Sequence, residues 1–103
     1  MIVTTTEKIN GKEFEVLGIV RGSTVQTVNA IRDIGAGLKT LVGGELTKYN
    51  EMMDNAREIA TDRMIKDALS KGADAIVGVR YTTSSIMQGA AEVLAYGTAV
   101  RFN

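Results

Sequence analysis

Cysteine, histidine, proline and tryptophan are all absent from this 103-residue chain. Without cysteine there is no disulfide framework, thiolate zinc site or redox dithiol. Without histidine the side chain best suited to proton transfer near neutral pH is missing, and with it the commonest metal ligand. Charge of one sign is also lacking, since twelve basic residues balance twelve acidic ones. Nucleic-acid binding needs an excess of Lys and Arg on one face, and only five aromatics (three Tyr, two Phe) are available for base stacking. No nucleic-acid partner is expected. Nor is there an apolar run of the roughly 20 residues that span a bilayer, or a basic, apolar leader at Met1–Thr6. The expectation is a cytoplasmic protein with no membrane partner.

What remains is 45% hydrophobic and 23% charged, the balance of one folded domain covering residues 1–103. Asn10-Gly11 predicts a two-residue type I′ turn between strands at about 2–9 and 12–22. That register sets Lys8 opposite Glu13 and Ile2 opposite Ile19. It also puts Phe14, Val16 and Val20 on one face, with Leu17 and Ile19 on the other. From Asn29 the period changes: Ile31, Ile34, Leu38 and Leu41 predict a short helix, ended by Gly43-Gly44. A long helix follows between Glu45 and Lys71. Its apolar stripe is Tyr49, Met53, Ala56, Ala60, Met64 and Ala68, widened by Met52, Ile59, Ile65 and Leu69. Two strands complete the chain, one from Ala73 to Tyr81 and one from Ala90 to Phe102, joined by a turn around Ser84–Gly89. The order β-β-α-α-β-β predicts an α+β fold of two layers. One short and one long helix pack on a mainly antiparallel sheet.

The last strand carries no charge from Val93 to Val100. Leu94, Tyr96, Thr98, Val100 and Phe102 make a large-residue face; Val93, Ala95, Gly97 and Ala99 make a small one. A sheet with one face in water alternates apolar with polar. Covering both faces, and supporting a helix of about 40 Å at 1.5 Å per residue, is easier with a second copy. Self-association is therefore favoured over a lone subunit.

Chemistry-bearing groups are few. Glu51, Asp54, Glu58 and Asp62 form an acidic stripe on the long helix, and such oxygen ligands suit Mg²⁺ or Ca²⁺. Lys48, Arg57, Arg63 and Lys66 lie within pairing distance along the helix, so a solvated or interface-lining charged face is the favoured reading. Met52, Met53, Met64 and Met87 offer thioethers, though three lie in a helix whose apolar stripe they complete. Gly35-Ala36-Gly37-Leu38-Lys39-Thr40 matches neither a dinucleotide fingerprint nor a P-loop. No catalytic residue is identified, the cofactor-binding residues are undefined, and a divalent metal is the one cofactor the side chains could accommodate. Function as a non-enzymatic module is favoured.

Taken in order, Gly22, Arg32-Asp33, Val42-Gly43-Gly44, Tyr49, Ala56-Arg57-Glu58, Gly72-Ala73-Asp74-Ala75 with Gly78-Val79, and Gly97-Thr98-Ala99-Val100 resemble the YbjQ-like family over nearly the whole chain. The resemblance implies a small bacterial or archaeal cytoplasmic α+β protein forming a ring-like homo-oligomer, a pentamer. It also implies the family's heavy-metal-binding label, for which this chain supplies neither Cys nor His. The alternative is an oligomeric scaffold that binds a small molecule or a protein partner between subunits.

Overall fold

The computed structural model describes residues 1–27 and 44–103. The expected short helix, with its Arg32-Asp33 and Gly43, lies outside those residues. Five elements are described: β1 (Ile2–Val3), β2 (Phe14–Thr27), α1 (Gly44–Ser70), β3 (Ala75–Met87) and β4 (Ala90–Phe102). The strands form one mixed sheet in the order β1-β3-β4-β2, and α1 covers one of its faces. The fold is α+β.

The helix forms where its stripe demanded. Met53, Ala56, Ala60, Met64 and Ala68 are buried, and they meet Val20, Val93, Ala95 and Ala99 of the sheet. Ala56, Ala60 and Ala68 on the helix and Gly22, Ala95 and Ala99 on the sheet are small, and at Gly22 the strand comes close to the helix main chain. Its C-terminus closes by two hydrogen bonds, Ala73 N–H to Ala68 O at 3.1 Å and Gly72 N–H to Leu69 O at 3.0 Å. This pair is the Schellman arrangement that satisfies the last carbonyls. The long hairpin of β3 and β4 turns at Gln88-Gly89, later than the broad Ser84–Gly89 turn expected.

Two sequence-based expectations fail at the N-terminus. The first two strands do not pair with each other. β1 runs parallel to β3 with Ile2 opposite Ala75, while β2 pairs antiparallel with β4 from Phe14/Phe102 to Thr27/Ala90. Thr4–Thr6 continue along β3, with Thr4 N–H on Ile76 O and with Gly78 and Val79 donating to Thr6 O and Thr4 O. Asn10-Gly11 does turn the chain, closed by Lys12 N–H to Ile9 O. Only Gly11 has a positive φ there, which is the pattern of a type II turn rather than type I′. The local turn signal was real; the strand pairing it implied lost to a long-range partner.

The second failure concerns which side chains share a face. A bulge between Val16 and Gly18 adds one residue to β2, and Gly18 carries it at φ 130°, a conformation L side chains rarely adopt. The alternation therefore switches. Phe14, Val16 and Ile19 lie on the open face, away from the helix, while Val20, Gly22 and Thr24 face it. A second bulge, between Val77 and Arg80 of β3, flanks the same stretch of β4 from the other side. Below the bulges Ile9, Phe14 and Phe102 pack with Ala75, Val77 and Val100 on the open face, while Val16 at its β2 side stays exposed. Above the bulges the face is bare among the described residues.

Candidate functional site

The bare half of the open face is formed by three strands. By register, β2 contributes Ile19, Arg21, Ser23 and Val25, β4 contributes Glu92, Leu94, Tyr96 and Thr98, and β3 contributes Arg80, Thr82 and Ser84. Ile19 is 75% exposed, Val25 53% and Tyr96 40%. An isolated exposed isoleucine means little. Here Ile19, Tyr96, Leu94 and Val25 run diagonally across β2 and β4, with Arg21, Arg80, Glu92 and hydroxyl side chains around them. An apolar run rimmed by polar groups marks a contact surface.

At the β2 rim of this face two side chains from α1 reach over the sheet edge. Asp67 Oδ2 accepts the outward Arg21 N–H at 3.2 Å, and Arg63 Nη1 donates to Ser23 O at 2.7 Å. Backbone groups that an edge strand would offer to another strand are thereby taken up by the chain's own helix. Lys71 holds the second oxygen of Asp67. The Lys71 hydrogen bond first, and then the Arg21 amide, hold the Asp67 carboxyl below its ordinary value of 3.8. Ile19, Arg21, Asp67 and Lys71 line an open hollow of about 480 Å³ at this rim, adjoining the bare face. Two cations and one carboxylate there make a polar lip beside an apolar floor. The Asp67–Arg63 latch was not foreseen, because its acceptors and donors are backbone atoms of a distant strand. The i, i+4 spacing of Asp67 and Lys71 was the available signal.

The acidic stripe is placed differently. Glu51, Asp54, Glu58 and Asp62 are all exposed on α1, and Asp54 forms an ion pair with Arg57 at 2.8 Å. Among the described residues no three acidic side chains come together in a way that could hold a metal ion. Of the methionines, Met53 and Met64 are buried in the core, Met52 is half-buried, and Met87 is exposed at the hairpin end. On α1 the expected partners divide: Arg57 pairs with Asp54, whereas Arg63 turns to the β2 edge. Among the described residues no helix is long and apolar enough to cross a membrane.

A family model described as "Putative heavy-metal-binding" (YbjQ) matches residues 1–103. The chain is 59% identical to a UPF0145 protein of Clostridium novyi, over 98% of both chains. It is 58% identical to one of Vibrio parahaemolyticus, over 98% of this chain and 97% of that one. With a UPF0145 protein of Methanosarcina acetivorans the identity is 55%, over 98% and 96%. A crystal structure of a DUF74-family protein of unknown function from Pediococcus pentosaceus superposes with a TM-score of 0.73. It covers 100% of this chain and 98% of that one at 22% identity, a likeness of fold alone. The family's metal description meets a poor donor set here, since soft metals favour thiolate and imidazole and this chain has neither. From the fold to the full-length match the findings agree: the chain belongs to the YbjQ-like family of UPF0145 proteins.

Proposed function

We propose that this protein works as a homo-oligomeric, non-enzymatic module. It assembles as a pentameric ring in the cytoplasm, and neighbouring copies cover the bare half of the open face. The observation that carries this reading is surface. A compact monomer of 11.0 kDa exposes about 5,600 Å² by size scaling, whereas this subunit exposes 6517 Å². The surplus is about 900 Å², comparable with the roughly 800 Å² each partner buries in a standard interface. Its radius of gyration, 16.8 Å, also exceeds the ~13 Å usual for a 100-residue domain. Ile19, Val25 and Tyr96 are among the large side chains left exposed.

The hollow beside Ile19 favours a second reading of the same assembly, a scaffold that holds a small anionic molecule or a protein segment at the junction between subunits. Arg21 and Lys71 would meet the anion there. A divalent metal would need carboxylates contributed by more than one copy, with Glu51, Asp54, Glu58 and Asp62 as the oxygen candidates. Native mass spectrometry of the untagged protein tests both readings. A species of five subunits supports the ring, and a retained small-molecule mass supports the scaffold. Stoichiometric metal in the same spectrum supports the carboxylate site. A single 11 kDa species at micromolar concentration overturns the oligomeric reading.

A further inference from the structure

The two edges of the sheet are treated unequally. On the β2 side, Asp67 and Arg63 occupy the outward backbone groups of Arg21 and Ser23. On the other side, the N-terminal segment follows β3 only as far as Val79, whose N–H bonds Thr4 O, with the Arg80 side chain bridging to Thr5 O. Beyond that point β3 continues for seven residues, Tyr81-Thr82-Thr83-Ser84-Ser85-Ile86-Met87, paired with β4 on one side only among the described residues. Strand backbone alternates, so from the outward Val79 amide the next outward groups belong to Tyr81, Thr83 and Ser85.

Natural edge strands are kept from pairing by charge, proline, a bulge or a cover. This stretch carries neither charge nor proline, its one register shift falls at its far end between Ser85 and Met87, and it is rich in the Thr, Tyr and Ile that favour strands. At the same level of the sheet β2 has a similar end. Thr27 and Met87 both register with Ala90, and β2 is uncharged from Gly22 onward. The α1 latch stops at Ser23, and among the described residues nothing takes up the outward groups of Val25 and Thr27.

We infer that Tyr81–Met87 of β3 is a strand-addition edge that takes the far end of β2, Thr24–Thr27, from a second copy of this chain. The inference rests on the oligomeric reading above and adds an edge-to-edge seam to the face contact proposed there. Within one subunit β2 and β3 both run antiparallel to β4. A copy related by rotation about an axis along the strands therefore presents β2 parallel to β3. In a parallel pair, a residue with outward groups sits opposite one whose groups turn inward. Thr83, on the helix face, then meets Thr24 or Gln26, also on the helix face, so both faces of the sheet run on across the seam. The two edges differ, so the contact is head-to-tail. Such contacts close into rings, whereas a self-complementary contact stops at a dimer.

The test uses Thr83→Pro, with Thr83→Val as control. Proline at an outward amide removes no hydrogen bond to β4 and is tolerated on an edge, yet it cannot donate to an added strand. Thr83→Pro is expected to keep the wild-type strand signal in circular dichroism while its concentration midpoint for assembly rises by about tenfold or more. Thr83→Val is expected to assemble as wild type. Hydrogen exchange on the unaltered protein gives a second readout, independent of how the variant folds. The amides of Tyr81, Thr83 and Ser85 are expected to be protected in the assembly and to lose protection on dilution to single subunits. Assembly of Thr83→Pro at the wild-type midpoint, or protection that persists in the dissociated subunit, overturns the seam. So does efficient disulfide-linked homodimer from Thr83→Cys alone, which would mean β3 pairing with β3. If the wild type never assembles, the oligomeric reading has failed; if it assembles and Thr83→Pro matches it, the seam alone has.

Discussion

A methyl group added at Gly22 would lie 2.3 Å from both the Ala60 carbonyl oxygen and the Met64 amide nitrogen. These are backbone atoms of α1, which cannot swing aside as a side-chain tip can. Gly22 is therefore where strand and helix touch main chain to main chain. Gly97 presents a softer case, because its added Cβ would come nearest the Ile76 Cγ2 at 2.8 Å, with the Val77 carbonyl oxygen and the Val79 Cγ2 both at 3.1 Å. Gly22→Ala is expected to destabilise the fold by about 1–3 kcal/mol, the usual cost of forcing packed elements apart. Gly97→Ala is expected to cost less, since a rotamer change can relieve part of the overlap. Urea melts of the two variants against wild type measure both, and an equal or reversed order would show that α1 has room to move. Asp67 adds a pH dependence at the same scale. Its carboxyl is held below 3.8 by Lys71 and the Arg21 amide, so its contribution is complete at neutral pH and disappears as pH falls through the depressed value. Asp67→Asn is expected to be less stable than wild type at neutral pH, with the gap narrowing as the pH falls below the ordinary carboxylate value of 3.8. A gap that stays constant with pH would assign the effect to the hydrogen-bonding shape of the side chain instead of its charge.

At the scale of elements, what could be read from the sequence follows how local the deciding interaction is. The α1 stripe was legible because its helical period runs without a glycine from Glu45 to Lys71, and burial of Met53, Ala56, Ala60, Met64 and Ala68 matches it. The small and large faces of β4 were legible because none of the three register shifts, at Val16/Gly18, Val77/Arg80 and Ser85/Met87, inserts a residue into β4 itself. The first hairpin was not, because Asn10-Gly11 speaks only for the turn. The alternative partner of β1 lies about seventy residues away, at Ala75 and Ile76. The face of Ile19 was misassigned for a related reason: one bulge at Gly18 reverses the parity of everything after it. That reversal moves Ile19 from the expected face to the bare one, so the candidate site was only half visible. Its β4 members, Leu94, Tyr96 and Thr98, stood out as the large face, while its β2 members required the bulge. The latch was hidden further, since Arg63 and Asp67 act on backbone groups that leave no trace in side-chain spacing.

For the whole molecule, the long dimension is the informative one. The subunit measures 53 × 22 × 15 Å, so a helix of about 40 Å fits within its long dimension, and the helix length read as a reason for a second copy is matched by an extended subunit. An extended, thin body has more surface for its volume than a compact one, and the bare half of the sheet is part of that surface. Ile19 sits where that argument is most exposed to test, 75% accessible in the single subunit and opposite Thr98 on β4. A lysine in its place adds a charge to a surface that a neighbour must dry, at little cost to a lone subunit, where the side chain already faces water. Ile19→Lys is expected to weaken assembly by about tenfold or more in light scattering across a dilution series, while the melting temperature of the dissociated subunit stays within a few degrees of wild type. If assembly is unaffected, the interface lies elsewhere than on this face. If the dissociated subunit melts far lower, Ile19 is holding the fold together within one chain, and the bare face is no longer the reason for the surplus surface.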